Sequence, residues 1–203
     1  GIDYWDKTLR IAREISLERN LRAVTIMGRK ESEKLNVGQL MYPSMQITDI
    51  FHMDVDICQL GMDQRRANIL AREIADKLKW KKPVIASHHI ILGLKGMQDT
   101  GNKELDLISS KMSKSDPSSA IYMHDSLEEL KKKISNAYCP EKVEEGNPLL
   151  EYCRYIIFKN VKSVKIERAS KFGGDVEYFS YDELSQDFLR GKLHPLDLKN
   201  SVT

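Results

Sequence analysis

Five successive residues, Lys111-Met112-Ser113-Lys114-Ser115, carry the sharpest chemical signal in this sequence. Two lysines three positions apart on a loop of small residues can set two ammonium groups on a polyphosphate, with hydroxyls and backbone N–H groups completing the cradle. Met112 between them would anchor the loop on apolar surface. Composition alone reads the string as an exposed Lys/Ser loop; its position after two strand-like segments favours phosphate. A second set is Tyr42, Gln46 and Asp49, spaced by four and three within an otherwise apolar stretch. That spacing stacks three polar groups on one face of a helix. The third is Gly61-Met62-Asp63-Gln64. Gly61 lets the chain pass close to a ligand, and Asp63 can accept from ribose hydroxyls or, as plainly, cap a helix. His88-His89, and His52 near Asp54 and Asp56, fit no standard metal-ligand spacing and read better as strand-end histidines and a solvated acidic turn. No bound protein metal is expected.

The elements that must hold these groups can be read from periodicity. Residues 4–22 predict one amphipathic helix, with Trp5, Leu9, Ala12 and Ile15 near a 3.6 period. Residues 37–51 predict the helix carrying the polar face. Residues 54–60 read as a buried strand, residues 65–79 as a helix with Ala67, Leu70, Ala71, Ile74 and Leu78 on one side, and residues 83–86 as a second buried strand. Strand, turn, helix and strand make an open α/β unit, whose ligands sit beyond the carboxyl ends of its strands. Gly61 to Gln64 would lie at such an end. Residues 94–110 read as a surface loop. Beyond it the character turns helical, with capping-box patterns at Ser126/Glu129 and Ser180/Glu183 and turns at Asn147-Pro148 and Gly173-Gly174. A boundary near Met123 would separate residues 1–122 from residues 123–203.

Composition sets the outer limits. Apolar residues make up 41% of the 203 and charged residues 31%, enough for a real core. Lys plus Arg number 32 against 30 Asp plus Glu, so coating of nucleic acid by bulk charge is excluded and any such binding must use local contacts. No apolar run approaches the roughly 20 residues of a membrane span. Three separated cysteines, with no C-x-x-C pair, read as reduced thiols of a cytoplasmic protein. The Lys131-Lys132-Lys133 run reads as a solvated helix face.

The KMSKS string is also the second signature of class I aminoacyl-tRNA synthetases, and the chain around it resembles tyrosyl-tRNA synthetases of the archaeal and eukaryotic cytosolic kind. The resemblance spans nearly the whole chain. It runs through Tyr42-Pro43-Ser44-Met45-Gln46-Ile47-Thr48-Asp49-Ile50 and Gly61-Met62-Asp63-Gln64-Arg65. It continues through Ala137-Tyr138-Cys139-Pro140, Lys171-Phe172-Gly173-Gly174-Asp175 and His194-Pro195-Leu196-Asp197-Leu198-Lys199-Asn200. An H-I-G-H-like tetrapeptide, the first class I signature, does not occur here. The expectation is therefore the C-terminal half of a Rossmann-type parallel-sheet catalytic domain followed by an α-helical anticodon-binding domain.

The resemblance implies roles. Asp49 would accept from the hydroxyl of a tyrosine substrate, with Tyr42, Gln46 and Gln64 around its amino group. A site that hydrogen-bonds the phenol rejects phenylalanine, because its own polar groups would be left unpaired. Asp49 also argues against the neighbouring tryptophan enzymes, whose indole offers an N–H. Gly61, Asp63 and the loop of Lys111, Met112, Ser113, Lys114 and Ser115 would hold ATP with its Mg²⁺, Lys111 and Lys114 neutralising phosphate charge as the catalytic residues. Phe172 would stack on the first anticodon base of tRNA(Tyr), and Asp197 would accept from its edge; without the resemblance, these two read as core and a helix cap. The implied activity is ATP-dependent joining of L-tyrosine to tRNA by a homodimer meeting through residues 11–29. A non-catalytic tRNA-binding or interaction module, or a tryptophanyl-tRNA synthetase, is the alternative. The 203 residues alone are expected to be weakly active or inactive. Residues 96–110 look long for the family and would be a lead-in to the KMSKS loop.

Overall fold

A computed structural model describes residues 1–27, 34–97, 101, 106 and 110–202. Most of the 96–110 loop and the end of the 11–29 stretch lie outside the described residues. The chain divides into two compact units, Gly1–Ile90 and Ile91–Thr203.

The first unit starts with α1 (Ile2–Arg13) and α2 (Leu17–Ala23). These replace the single helix expected over residues 4–22. The break has a local cause: the Ser16 hydroxyl accepts from the Arg19 N–H and opens a new helix. The buried face of α1 also differs from the expected one. Thr8 and Ile11 are fully buried, whereas Trp5 and Leu9 are 50% and 58% exposed. Thr8 turns inward because its hydroxyl meets that of Thr48 at 2.9 Å, while the Thr48 hydroxyl also lies 2.8 Å from the Ser44 carbonyl. Helix α3 (Val37–His52) is opened by a reciprocal capping box between Asn36 and Gln39. Its Ile47 and Ile50 enter the core beside Ile11.

Strands β1 (Ile57–Gly61) and β2 (Val84–His88) pair in parallel, Ile57 opposite Val84 and Gly61 opposite His88. Between them runs α4 (Arg65–Leu78), whose Ala67, Leu70, Ala71 and Ile74 are buried as the periodicity requires. The strands are not buried on both faces as expected. Cys58 is covered, but Ile57 and Val84 stand 64% and 57% exposed, because among the described residues this sheet has two strands with helices over one side.

The second unit includes residues 91–120 as well as the helical region, so contacts divide the chain well before the change of character near Met123. The cause is a set of backbone bonds. Gly93 N–H donates to the Ser110 carbonyl (2.6 Å), Leu94 N–H to that of Ser119 (2.9 Å) and Tyr138 N–H to that of Leu94 (2.7 Å). A Cβ on Gly93 would sit 2.9 Å from both the Ser110 and Ser119 oxygens, so a larger residue would force this segment away from its neighbours. Helix α5 (Leu127–Ser135) has the full Ser126/Glu129 capping box. Helix α6 (Pro148–Tyr152) is capped by the buried Asn147, whose side chain accepts from Leu149 and Leu150 N–H. A π-type segment, Cys153–Ile157, continues it.

The expectation of a purely helical second part is corrected here. Strands β3 (Val164–Ile166) and β4 (Val176–Tyr178) form an antiparallel pair, three residues each and too short to show a period in the sequence. Helices α7 (Tyr181–Leu189) and α8 (Pro195–Ser201) close the unit, around a core that includes Leu149, Leu150, Ile166, Leu184, Phe188 and Leu198. At α7, Ser180 caps as expected, but the Glu183 carboxylate accepts from Phe179 N–H rather than from Ser180.

Candidate functional site

In the first unit, the polar face of α3 meets the turn that follows β1. Gln46 Nε2 donates to Gln64 Oε1 at 3.0 Å. Gln64 Nε2 in turn donates to Asp63 Oδ2 (2.9 Å) and to the Ile26 carbonyl (3.1 Å). The Gln64 amide thus ties two of the expected ligand groups to each other and to the 3-10 turn Val24–Met27. Gly61 is the residue that lets this turn close. A Cβ there would lie 2.6 Å from Asp63 Oδ1 and 3.2 Å from the Ile90 side chain. Gln46 and Gln64 are part-buried, whereas Tyr42 and Asp49 are exposed on the same helix. The 3-10 turn Met62–Gln64 begins from Gly61 and α4 from Gln64, so Asp63 stands inside the turn rather than at the N-cap position of either.

Asp49 has a partner that sequence reasoning missed. The Tyr4 hydroxyl lies 2.9 Å from Asp49 Oδ1 and 3.2 Å from the Met45 carbonyl. Burial, followed by the Asp49 carboxylate, pushes the Tyr4 phenol up to about 12. His52 stands edge-on to the Tyr4 ring at 5.3 Å and lies 3.4 Å from Asp3. The signal was present in the Tyr4–Thr8 spacing, an i, i+4 polar pair on the face that also holds Ile11; the apolar stripe of Trp5 and Leu9 drew attention to the other side.

The Lys/Ser loop belongs to the second unit. It is bracketed by two isolated antiparallel bridges, Leu92 with Lys111 and Ser113 with Asp116. Its bend is held by its own hydroxyls. Ser113 and Ser115 Oγ are 2.8 Å apart, Ser113 N–H donates to Ser119 Oγ (3.2 Å), and Ser119 Oγ donates to the Asp116 carbonyl (2.7 Å). Lys114 is exposed. Met112, expected to anchor the loop, is exposed as well. Asp116 sits beside Lys95 Nζ at 2.5 Å and accepts from Ser118 Oγ, and these two partners hold its carboxyl below the usual range.

Phe172 and Asp197 come together. Both line a cavity of about 350 Å³ in the second unit, with Arg168, Lys192, His194 and Leu196. Phe172 is not core: the residue is 62% exposed, with Lys171 Nζ 4.9 Å from its ring centroid. The cap of α8 is His194, whose Nδ1 accepts from Leu196 N–H (3.1 Å), which leaves Asp197 in the first helical turn, part-buried, with its carboxylate free of that duty. Neither half of the bland alternative, core and cap, describes these residues.

A family model described as tRNA synthetases class I (W and Y) matches residues 2–203. The chain belongs to that family. Within this class I family it is similar to proteins named tyrosine–tRNA ligase. One from Aeropyrum pernix is 48% identical over 206 residues, covering 98% of this chain and 57% of the relative. Tyrosine–tRNA ligase 1, cytoplasmic, of Arabidopsis thaliana is also 48% identical, covering 98% and 49%. Among solved structures, a tyrosyl-tRNA synthetase from Pyrococcus horikoshii complexed with L-tyrosine superimposes with a TM-score of 0.87 at 41% identity, covering all of this chain and 58% of that one. The chain spans about half the length of the curated relatives it matches.

For a class I synthetase chain, the groups anticipated from sequence fall into three local sets. The tyrosine candidates and the Gly61–Asp63 turn belong to the first unit; the KMSKS loop and the Phe172–Asp197 cavity belong to the second. His194 and Arg168, which line that cavity, were the residues of the second unit that sequence reasoning passed over.

Proposed function

We propose that this chain serves an ATP-dependent tyrosine–tRNA ligase, as the part that follows the first class I signature. In this reading, the α3 face and Gln64 bind L-tyrosine, Asp49 accepting from its hydroxyl and Tyr42, Gln46 and Gln64 receiving its ammonium group. The observation that carries it is the Gln46–Gln64–Asp63 hydrogen-bond chain beside Asp49. Groups suited to an ammonium group and a ribose, with an acceptor suited to a phenol three positions along α3 from Gln46, support this reading. The high identity to proteins named for tyrosine supports the same amino acid.

The chemistry needs no side-chain nucleophile. The tyrosine carboxylate attacks the α-phosphate of ATP, forming the acyl–phosphate bond as the bond to pyrophosphate breaks. A ribose hydroxyl of tRNA then attacks the acyl carbon and AMP leaves. Catalysis is positioning and neutralisation of charge on the phosphates. Lys111 and Lys114 supply that charge on a loop whose bend Ser113, Ser115 and Ser119 maintain; Mg²⁺, when bound with ATP, would add to it. Asp63 accepts from the ribose. In the second unit, Phe172 and Asp197 form a site for one unstacked base, a stacking face beside an edge acceptor that suits guanine, whose N1 and N2 are donors. Residues 123–203 would then be the anticodon-binding part. A homodimer through residues 11–29 and cytoplasmic residence are part of the same reading.

The test is amino-acid-dependent ATP–pyrophosphate exchange by the full-length gene product carrying these residues. Exchange is expected with tyrosine and not with tryptophan or phenylalanine, and Asp49→Ala should remove the preference for tyrosine over phenylalanine. Exchange driven by tryptophan, or none with tyrosine, refutes the reading; tRNA binding without any exchange would favour a non-catalytic module.

A further inference from the structure

The base cavity has two walls from separate stretches of chain, and one side chain joins them. Phe172 closes the 3-10 turn Ser170–Phe172 and is followed by Gly173 (φ +100°) and Gly174 (φ +73°), which reverse the chain toward β4. Asp197 belongs to the segment that leaves α7 through Gly191 and Lys192 and enters α8 at His194. Arg168 reaches both. Its Nε donates to the Gly174 carbonyl at 3.0 Å and its Nη1 to the Lys192 carbonyl at 2.8 Å. Its own backbone N–H donates to Asp175 Oδ1 at 3.0 Å, which, with Lys165, holds the Asp175 carboxyl below the usual range. A planar guanidinium with donors in a fixed fork can bridge two carbonyls at a set separation; an ammonium group on a flexible stem cannot fix that spacing.

We propose that Arg168 is a positioning residue for base recognition, setting the distance and angle between the Phe172 ring and the Asp197 carboxylate so that both act on the same base. This rests on the reading of the cavity as a base site. Stacking alone tolerates any base, because every base has a π-face, whereas edge bonding discriminates only when the stacked base is held in register with the acceptor. Arg168 therefore governs discrimination more than affinity. Two of its five N–H donors are committed to these carbonyls.

The experiment measures binding of an RNA anticodon stem-loop with guanine as first anticodon base, and of its adenine counterpart, to the full chain at several salt concentrations. Wild type should prefer guanine, and Phe172→Ala and Asp197→Asn should each lower that preference. If wild type shows no preference, or neither substitution changes it, the base-site reading falls and this proposal falls with it. With that reading upheld, Arg168→Lys, which keeps the charge but not the fork, should reduce the guanine-to-adenine preference by about tenfold, the scale of one specific edge contact. Adenine affinity and the salt slope should stay near wild type. An unchanged preference in Arg168→Lys overturns the proposal. So does an equal loss for both RNAs with a shallower salt slope, which would make Arg168 a phosphate contact. Arg168→Gln is measured alongside with a thermal melt of each variant by circular dichroism; loss of the fold in both would show a purely architectural residue and would also overturn the proposal.

Discussion

Replacing Tyr152 by Phe tests whether the KMSKS loop is held in place from the α6 side. Tyr152 is 5% exposed, and its hydroxyl donates to the Leu92 carbonyl at 2.8 Å; burial pushes its phenol well above the ordinary range. The preceding residue, Glu151, accepts from the Leu92 N–H at 3.0 Å. Two adjacent α6 side chains thus fix both backbone groups of the residue that bridges to Lys111. Removing the hydroxyl keeps the ring and its packing, so no large cavity forms. It leaves the carbonyl of Leu92, itself 3% exposed, without this donor, which costs about 1–3 kcal/mol. Easier burial of Phe offsets part of that, leaving about 1–2 kcal/mol, or roughly a 5- to 30-fold change in the opening equilibrium. Native-state hydrogen exchange reads it directly at the amides of Gly93, Leu94 and Tyr138, which donate to Ser110, Ser119 and Leu94. Both tryptophans, Trp5 and Trp80, belong to the first unit, so their fluorescence on urea unfolding provides an internal control that should not move. Unchanged protection at those three amides, or an equal loss in both units, would refute the assignment of Tyr152 as the support of this loop.

Two further outcomes concern titration. In a difference titration of phenolate absorbance between wild type and Tyr4→Phe, Tyr4 should ionise near pH 12, and Asp49→Asn should bring that value down part of the way, since burial is the larger cause. Because the folded value is raised, the stabilisation from neutral Tyr4 is complete below about pH 10 and lost as pH climbs toward 12; a Tyr4 that ionises at its ordinary value would break the Tyr4–Asp49 assignment. Asp125 behaves in the opposite sense. The Lys133 ammonium at 2.6 Å and the Tyr122 N–H hold its carboxyl below the usual range. Its contribution is present above about pH 4 and disappears as pH falls through the folded value, so Asp125→Asn should flatten the acid limb of the urea midpoint against pH. An acid limb as steep in the variant as in wild type would assign that limb to other carboxylates.

Much of the architecture was legible because it follows from local rules. The 3.6-residue apolar period along α4 marked Ala67, Leu70, Ala71 and Ile74 as core; Ser126 with Glu129 marked the start of α5; Gly61 marked the close turn after β1. Where the reading differed, a non-local contact prevailed. Thr8 took the inward position on α1 through its bond to Thr48, forty positions away, against the more apolar Trp5 and Leu9. The β3–β4 pair escaped notice because three residues carry no usable period, and its pairing joins Val164 to Tyr178 across a turn.

Residue types and their spacing specify which groups this chain has to offer: a pair of lysines on a small-residue loop, a polar stripe at helical spacing, a glycine-led turn, and motif strings specific enough to indicate a family. These are properties of residue type and spacing along one chain, and helix geometry alone carries them into space. Which of these groups meet follows from the packing of the elements. Gln46 and Gln64 are 18 positions apart and share a hydrogen bond; Tyr4 reaches Asp49 across 45. Phe172 and Asp197 share a cavity, with Arg168 bonded to the backbone on both sides of it. Such pairings depend on how helices and turns dock, on burial and on the directions of single hydrogen bonds. Neither composition nor period records those quantities.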